Sequence, residues 1–167
     1  MYKRTTTYVE QHNLLYPSQY GFRTGHSTQH AILDIINDIQ ANMNQRLYML
    51  SCGVFIDLKK AFDTVGHEIL LDKLNHYGFR EIINDWFSSY LNNRTQTTQV
   101  GQHISDKAVI TCVVPQGSVL SPLLFLLYVN DIHKCSNKLR FYPLFADDTN
   151  ILYADKNVKA LETTINI

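Results

Sequence analysis

The sequence lacks a charge surplus, and its few cysteines form no recognisable framework. Its 15 Lys and Arg residues balance its 15 Asp and Glu residues. Dedicated nucleic-acid-binding modules usually carry a basic surplus, so this balance argues against one but leaves room for an enzyme that works through metal ions. The three cysteines show no paired metal-ligand spacing, which favours free thiols over a disulfide or zinc framework.

Long apolar segments are also missing. The longest apolar run, residues 123–129, is too short to span a bilayer, and polar residues follow Met1 where a signal peptide would be apolar. We therefore predict a soluble, intracellular protein of the cytoplasm or nucleus that is not secreted and has no membrane partner. With 167 residues, 45% of them hydrophobic, the chain can bury a core and is expected to form one domain or a piece of one.

Apolar residues at three- and four-residue spacing predict helices. The predicted helices are residues 31–43 after an N-cap at Ser27, residues 68–77 ended by Gly78, residues 81–91, and the apolar residues 120–130. The side chains expected to point inward from the first three are Ala31, Ile32, Ile35, Ile36, Ile39, Met43, Ile69, Leu70, Leu74, Ile82, Ile83, Trp86 and Phe87.

Strand patterns lie between these helices. Residues 47–58 are rich in β-forming residues, and apolar side chains on both faces predict a central strand. The other predicted strands are 95–100 and 108–113, joined around Gly101-Gln102, and 139–145 and 149–153, joined by a bend at Ala146-Asp147-Asp148. Because helices and strands mix without strict βαβ alternation, the predicted class is α+β with an antiparallel sheet.

Carboxylates stand at the ends of two of these strands. Asp57 follows the apolar run Val54-Phe55-Ile56, and Asp147 and Asp148 lie at the bend of the last hairpin. Neighbouring side chains of a flat strand point to opposite faces, so the pair acts together only where the backbone bends. If the bend lies beside Asp57, like charges share a small volume, and a divalent cation or a raised pKa is expected. Hard oxygen ligands favour two Mg²⁺ or Mn²⁺ ions, which suit nucleotidyl transfer.

Two other interpretations remain open from the residues alone. In the first, Asp147-Asp148 caps a turn and Asp57 caps the helical segment that begins near Lys59. In the second, the chain is a phosphoacceptor receiver domain. That domain would place its acidic pair on the first strand, its single acceptor later and a Lys on the last strand, whereas this sequence has the opposite order and no such Lys.

Motifs around the acids resemble the three palm motifs of reverse transcriptases, in that family's order. These motifs are Gly53-Val54-Phe55-Ile56-Asp57-Leu58-Lys59-Lys60-Ala61-Phe62-Asp63, Val114-Pro115-Gln116-Gly117-Ser118-Val119-Leu120 and Leu144-Phe145-Ala146-Asp147-Asp148-Thr149. The segments that resemble the non-LTR, LINE-type branch, most closely its jockey-like group, are Gln19-Tyr20-Gly21-Phe22-Arg23, Gly25-His26-Ser27-Thr28, Trp86-Phe87-Ser88-Ser89-Tyr90-Leu91 and Pro122-Leu123-Leu124-Phe125-Leu126-Leu127-Tyr128. The resemblance runs from about Glu10 to Leu161. The residues of its motifs disfavour a group II intron or retron enzyme.

The resemblance implies an RNA-directed DNA polymerase that uses an RNA template, a DNA primer, deoxynucleoside triphosphates and two Mg²⁺ or Mn²⁺ ions. Asp57 and Asp147 would be the principal catalytic metal ligands, and Asp148 would complete the acidic site. The carbonyl of Leu58 would supply a further oxygen next to the nucleotide. An oligomeric state does not follow from it.

Further nucleotide-binding residues are implied by the same motifs. Phe62 matches the aromatic residue that lies under the sugar and excludes a ribose 2′-hydroxyl, with core packing as its alternative. Gln116 and Gly117 match the loop that lines the nucleotide pocket, where glycine permits close approach of the backbone. Arg23 matches a basic fingers residue that touches template or triphosphate, with a structural salt bridge as its alternative.

Gly66, Ser121 and Val113 depart from the family pattern. Gly66 stands where the family usually has Asp or Asn, and Ser121 stands where it commonly has Gly, so both positions keep small residues. Val113 stands where the family usually has Gly, and a β-branched residue is strained at positive φ, so the nucleotide loop is expected to be reshaped.

The implied architecture is a polymerase palm, an antiparallel sheet flanked by helices, with part of the fingers. Residues 1–46 would be a partial fingers region and residues 47–167 the palm. We expect a fragment truncated at both ends, with the thumb absent. The alternative function is a catalytically inactive relic of a retrotransposon, or a domain kept as an interaction module.

Overall fold

The computed structural model describes residues 1–44, 50–110, 112, 114–115, 117–134 and 140–165. Its helices are α1 (Tyr2–Gln11), α2 (Thr28–Asn44), α3 (His67–His76), α4 (Ile82–Leu91), α5 (Ser121–Val129) and α6 (Val158–Ile165). Its strands are β1 (Leu50–Ile56), β2 (Arg94–Gln96), β3 (Gln99–Val100), β4 (His103–Ile104), β5 (Ala108–Ile110), β6 (Arg140–Phe145) and β7 (Asp148–Asp155). The parts of predicted strands at 47–49, Thr111, Val113 and Leu139 lie outside the described residues.

The chain divides into two compact units. We call residues Met1–Leu14 with Lys60–Val129 the helical unit, and residues Leu15–Lys59 with Asn130–Ile167 the sheet unit. The named strands that the structure describes all pair antiparallel, which agrees with the predicted α+β class.

A three-stranded sheet in the order β1-β7-β6 organises the sheet unit. Helix α2 packs against β1 and β6, and α6 packs against β7. Among the described strands β1 is therefore an edge strand, so the prediction of a central strand at residues 47–58 is wrong. Apolar residues on both faces of a strand do not by themselves place a neighbouring strand at each of its edges, and Phe55 on β1 is 71% exposed.

Helix α2 begins as predicted, but it buries a different face. The Ser27 hydroxyl accepts a hydrogen bond from the His30 backbone N–H at 3.4 Å, which confirms the N-cap. Ala31 is buried, whereas Ile32, Ile36 and Met43 are exposed, which contradicts their predicted inward position. A polar residue, Asn42, is buried instead and donates to Asp38 Oδ2 at 2.9 Å. Its burial is tolerated because the amide has this partner.

Helix α3 packs against both α4 and α5 in the helical unit. Gly78, with φ +97°, follows the end of α3 as predicted. Helix α5 is apolar on all sides and is correspondingly buried along most of its length. The fully buried side chains of these helices include Leu70, Leu74, Phe87, Leu91, Leu124 and Leu127.

The predicted inward positions of several apolar residues on α3 and α4 are wrong. Ile82 is 82% exposed, and Ile69, Ile83 and Trp86 are exposed as well. The Trp86 ring stacks on Tyr90 one turn later, with centroids 5.5 Å apart. The apolar stripes are wider than the buried faces of these helices, which spacing alone does not reveal.

The predicted strand pair at 95–100 and 108–113 is present only in part, because one of its two short ladders uses β4, which lies outside the predicted strands. Strand β2 pairs with β5, and β3 pairs with β4 around Gly101, whose φ is +61°. Between the ladders, the Thr98 N–H donates to the Ser105 hydroxyl and the Ser105 N–H donates to the Thr98 carbonyl, both at 2.9 Å. The side chain of Ser105 thus replaces a strand partner and interrupts the hairpin.

Among the described helices, none combines the length and apolar character that a membrane span requires. Cys52 and Cys112 are free thiols, as predicted, and Cys135 lies outside the described residues.

Candidate functional site

The hairpin of β6 and β7 carries two of the predicted acids, Asp147 and Asp148. Phe145 pairs with Asp148, so Ala146 and Asp147 form a two-residue turn and Asp148 opens β7. Ala146 lies in the left-handed region, with φ +57°, and is buried. Asp147 is half-buried and Asp148 is exposed.

The β1–β7 register brings Asp57 to the same end of the sheet. Ile56 is the partner of Thr149, so the next residue of β1 and the preceding residue of β7 are Asp57 and Asp148. Side chains alternate along each strand, and directly opposed residues share a face. Asp57 and Asp148 therefore lie on the face that also carries the opposed pair Phe55 and Asn150.

Asp57 and Asp148 line one cavity of about 430 Å³. Most of the other lining residues are apolar and come from α2 and the ends of the strands. The complete lining is Thr28, Ala31, Ile32, Ile35, Phe55, Ile56, Asp57, Phe145, Asp148 and Asn150. Asp147 is not among them, although its neighbours in the chain reach this cavity.

The donor set fits a divalent cation in part. Two carboxylates on neighbouring strands supply hard oxygens, and Mg²⁺ is commonly held by one or two carboxylates together with water and substrate phosphates. Across the residues that the structure describes, no group of three or more His, Cys, Asp or Glu side chains is arranged to hold a metal ion. The structure thus brings Asp57 and Asp148 together at the cavity and leaves Asp147 beside them on the turn.

Other predicted residues of the sheet unit have structural contacts. Leu58 follows Asp57 and is half-buried. The Arg23 guanidinium donates to the backbone carbonyls of Tyr16 at 3.3 Å and Gln19 at 3.1 Å. Arg23 therefore fixes its own loop through these carbonyl oxygens.

Phe62 and Gly117 belong to the helical unit. The Phe62 ring stacks on Phe125, with centroids 4.5 Å apart and planes 28° apart. This contact accords with the core-packing interpretation of Phe62. Gly117 has φ +80°, a conformation that favours glycine. Gln116 and Val113 lie outside the described residues.

The two small-residue departures are accommodated. Ser121 is buried, and its hydroxyl donates to the Pro115 carbonyl. A Cβ added at Gly66 would meet Ile69 Cδ1 at 3.6 Å, an ordinary contact. Neither position forces a change of backbone in the helical unit.

Sequence reasoning missed the contacts of Gln19, which is buried in the sheet unit. Its side-chain Oε1 accepts hydrogen bonds from the backbone N–H groups of Gly21, at 2.9 Å, and Ala146, at 3.0 Å. Glutamine in a loop is ordinarily solvated, so the residue type gave no signal. Gly21, two residues later, was a weak signal of close backbone approach.

The pKa of the Tyr20 hydroxyl lies well above its ordinary value. Its hydroxyl donates to Asp34 Oδ2. Partial burial first, and then the hydrogen bond and negative charge of Asp34, raise the pKa of Tyr20 to about 12. Tyr20 remains protonated at neutral pH and ties the loop to α2.

Comparison with known proteins gives a family, two relatives and a fold. The sequence model of the family "Reverse transcriptase (RNA-dependent DNA polymerase)" matches residues 1–167. The probable RNA-directed DNA polymerase from transposon BS of Drosophila melanogaster is 30% identical over 163 residues, which cover 90% of this chain and 17% of that protein. The RNA-directed DNA polymerase from mobile element jockey of the same species is 30% identical over 148 residues, covering 85% of this chain and 16% of that protein.

The fold is similar to part of a solved telomerase. The structure of telomerase from Candida tropicalis in complex with a fragment of telomeric RNA aligns with a TM-score of 0.67 at 14% identity. The alignment covers 98% of this chain and 30% of that one. By length, the chain spans about a sixth of each of the two relatives named above, from transposon BS and from jockey.

Proposed function

The chain belongs to the reverse transcriptase (RNA-dependent DNA polymerase) family, and from this premise we propose that it contributes the catalytic acids of an RNA-directed DNA polymerase. The resemblance to jockey-like, non-LTR elements is confirmed by the relatives from transposon BS and jockey. The proposed reaction adds deoxynucleotides to the 3′-hydroxyl of a DNA primer on an RNA template.

The observation that carries the proposal is the register between β1 and β7. It places Asp57 and Asp148 at one end of the ladder and in the wall of one cavity. Two carboxylates on neighbouring strands at one cavity concentrate negative charge there, which attracts a cation. The turn places Asp147 next to Asp148, from where it would act as the third ligand.

Asp57, Asp147 and Asp148 would hold two Mg²⁺ or Mn²⁺ ions, and reverse transcriptases in general use divalent metals. Bound there, such ions would lower the pKa of the primer hydroxyl and stabilise the leaving pyrophosphate. The protein's own part would be to hold the carboxylates close to one another at the end of the β1–β7 ladder, since positioning supplies much of the rate.

We assign the carbonyl of Leu58 to metal or nucleotide contact, Gln116 and Gly117 to the pocket, and Arg23 to template or triphosphate. Phe62 would exclude a ribose 2′-hydroxyl, so a smaller residue there should relax the choice of sugar. Its stacking on Phe125 would then fix the ring for that steric role.

The remaining assignments are part of the same proposal. Residues 1–46 would contribute to the fingers and residues 47–167 to the palm. The telomerase with a similar fold was solved with telomeric RNA, which supports an RNA template here. We place the protein inside the cell, in the cytoplasm or nucleus.

Primer extension tests the proposal. The purified chain would be given a poly(rA)/oligo(dT) duplex and dTTP with Mg²⁺ or Mn²⁺. Its double variant Asp147→Asn, Asp148→Asn is the comparison, because the change removes two charges with little change of shape. If the catalytic acids act as proposed, any extension by the parent should be absent in the variant.

Failure of the folded parent to extend the primer would contradict catalysis by this chain and leave the family membership standing. Equal extension by the double variant would show that the acids are not the catalytic residues. The alternative of an inactive relic is not favoured, because the family match covers the whole chain and all three acids are present.

A further inference from the structure

A short loop of the sheet unit runs beside the β6–β7 hairpin. It hydrogen-bonds to both the backbone N–H and the backbone carbonyl of Leu144. The Leu144 N–H donates to the Ser18 carbonyl, and the Tyr20 N–H donates to the Leu144 carbonyl, each at 2.7 Å. Gln19 and Leu144 form an isolated parallel bridge. The loop therefore lies against β6 as a short additional strand-like segment.

The side chain of Gln19 reaches from this loop to the turn. Gln19 is only 2% exposed. Its Oε1 accepts from the Ala146 N–H at 3.0 Å and from the Gly21 N–H at 2.9 Å. Ala146 is buried too, and a buried backbone N–H that loses its partner is strongly unfavourable. One side-chain oxygen thus satisfies the first residue of the turn.

The turn itself adopts a conformation that its own sequence disfavours. Ala146 has φ +57°, a region that residues with a Cβ rarely occupy. Such a residue keeps this conformation only where its surroundings impose it. The surroundings here are close: a Cβ added at Gly21 would lie 2.9 Å from Ala146 Cα and closer still to its nitrogen.

The loop that carries Gln19 is fixed in turn. Arg23 donates to the carbonyls of Tyr16 and Gln19, and the Tyr16 N–H donates to Asn130 Oδ1 at 2.7 Å. The backbone of Gln19 is therefore fixed independently of the hydrogen bond that its side chain makes to the turn. A preorganised acceptor of this kind loses little freedom when it bonds the Ala146 N–H.

We propose that Gln19 is a positioning residue that holds Ala146 in its positive-φ conformation at the Ala146-Asp147 turn and thereby sets where Asp147 stands beside Asp148. The consequence for metal binding rests on the proposed function; the hold on the turn does not. Gln19 touches no reacting atom in this role. It acts as hydrogen-bonding partners behind metal ligands do, by restricting the orientation of the groups in front of them.

Amide hydrogen exchange followed by NMR tests the hold directly. In the parent, the Ala146 amide should exchange at least about tenfold more slowly than an unprotected amide, because it is buried and bonded. Gln19→Leu keeps the approximate size of the side chain and removes the acceptor oxygen, so Ala146 exchange should rise at least about tenfold. Gln19→Glu keeps an acceptor and should restore protection. Gln40→Leu, at an exposed position of α2, is the matched control and should leave Ala146 unchanged.

Titration with Mn²⁺ alone gives the second measurement. Gln19→Leu should weaken Mn²⁺ affinity by about tenfold, the usual effect of losing a partner behind a metal ligand. Because Gln19→Glu also adds a negative charge beside the acids, its rescue is judged by the protection of Ala146 and not by Mn²⁺ affinity. A residue that only stabilises the fold would lower the melting temperature without this selective loss and rescue.

Unprotected exchange of Ala146 in the parent would overturn the proposal, and this outcome needs no variant to fold. Protection that survives in a folded Gln19→Leu variant would overturn it as well. If the parent binds no Mn²⁺ while the exchange results come out as expected, the proposed function fails and the hold by Gln19 stands.

Discussion

Two hairpins of this chain solve the problem of a tight turn in different ways. The β6–β7 turn has Ala146 at φ +57°, buried and bonded by the side chain of Gln19. The β3–β4 turn has Gly101 at φ +61°, with open space around the position of a Cβ. The same backbone region is reached once by a residue that tolerates it and once by a residue that the surroundings constrain.

The difference supports the proposed position of the functional site at the β6–β7 hairpin. A glycine turn depends on its own sequence and can lie on an exposed hairpin; Val100, Ile104 and Val109 beside Gly101 are all largely exposed. A constrained alanine turn needs a built environment, and strained conformations of this kind concentrate at functional sites. The hairpin with the built environment is the one that carries Asp147 and Asp148.

The largest contrast between the hairpins is expected in catalysis. Asp148→Asn should lower the rate of primer extension by about 10³-fold, equivalent to about 4 kcal/mol, because a charge that stabilises the transition state is lost. Asp106, exposed between β4 and β5 just beyond the β3–β4 hairpin, offers the same substitution, and Asp106→Asn should change the rate less than about twofold. Similar losses from both variants would abolish the distinction between the hairpins.

The next contrast is in stability. Leu144 on β6 is 1% exposed and Val109 on β5 is 69% exposed. Leu144→Ala should lower the free energy of unfolding by about 3 kcal/mol through lost burial and a cavity, whereas Val109→Ala should change it by less than about 0.5 kcal/mol. Urea denaturation followed by circular dichroism measures both. A small effect at Leu144 would show that the β6–β7 hairpin is not anchored in a core.

Alanine at the two glycines compares the turns themselves. Gly21→Ala would force its Cβ into the Ala146 backbone and should cost about 2 kcal/mol of stability. Gly101→Ala meets open space, so it should cost only the backbone strain of the left-handed region, roughly 1 kcal/mol. Differential scanning calorimetry would rank the two variants, and the reverse ranking would contradict the close packing of loop and turn.

The smallest effect concerns alkaline pH and the loop that holds the turn. The pKa of Tyr20 is raised from 10.0 to about 12 in the folded chain, so the folded state keeps its proton where the unfolded state has lost it. The contribution of Tyr20 to stability is therefore complete below about pH 10 and declines as the pH rises toward 12.

Tyr20→Phe should flatten the fall in the free energy of unfolding between pH 10 and 12. Tyr2→Phe is the matched control, since Tyr2 is 42% exposed. Urea denaturation across this pH range measures both, and parallel pH curves for Tyr20→Phe and the parent would contradict the link between Tyr20 and Asp34.

Much of the fold could be predicted from local pattern. The N-cap at Ser27, the glycine after α3 and the last hairpin each follow from residues near one another in the chain. The burial of individual side chains could not be predicted in this way, because burial depends on which distant parts of the chain pack against them. Ile82 has the spacing of a core residue and is 82% exposed, while Asn42 is buried beside Asp38.

The residues of the candidate site also differ in whether the sequence predicts them. Asp57, Asp147 and Asp148 could be found from their positions at strand ends, and the β1–β7 register then brings Asp57 opposite Asp148. Gln19 could not, because its partner Ala146 is 127 positions away in the sequence. A long-range hydrogen bond from a side chain to the backbone leaves no periodic trace in a sequence.

The location of bound Mn²⁺ tests the central claim most directly. Mn²⁺ broadens the NMR signals of nearby amides, so titration with substoichiometric metal reports where it binds. If the acids form the metal site, the amides of Asp57, Asp147 and Asp148 should broaden first, while that of Asp106 stays sharp. Broadening that begins elsewhere, or that spares the three acids, would contradict the account.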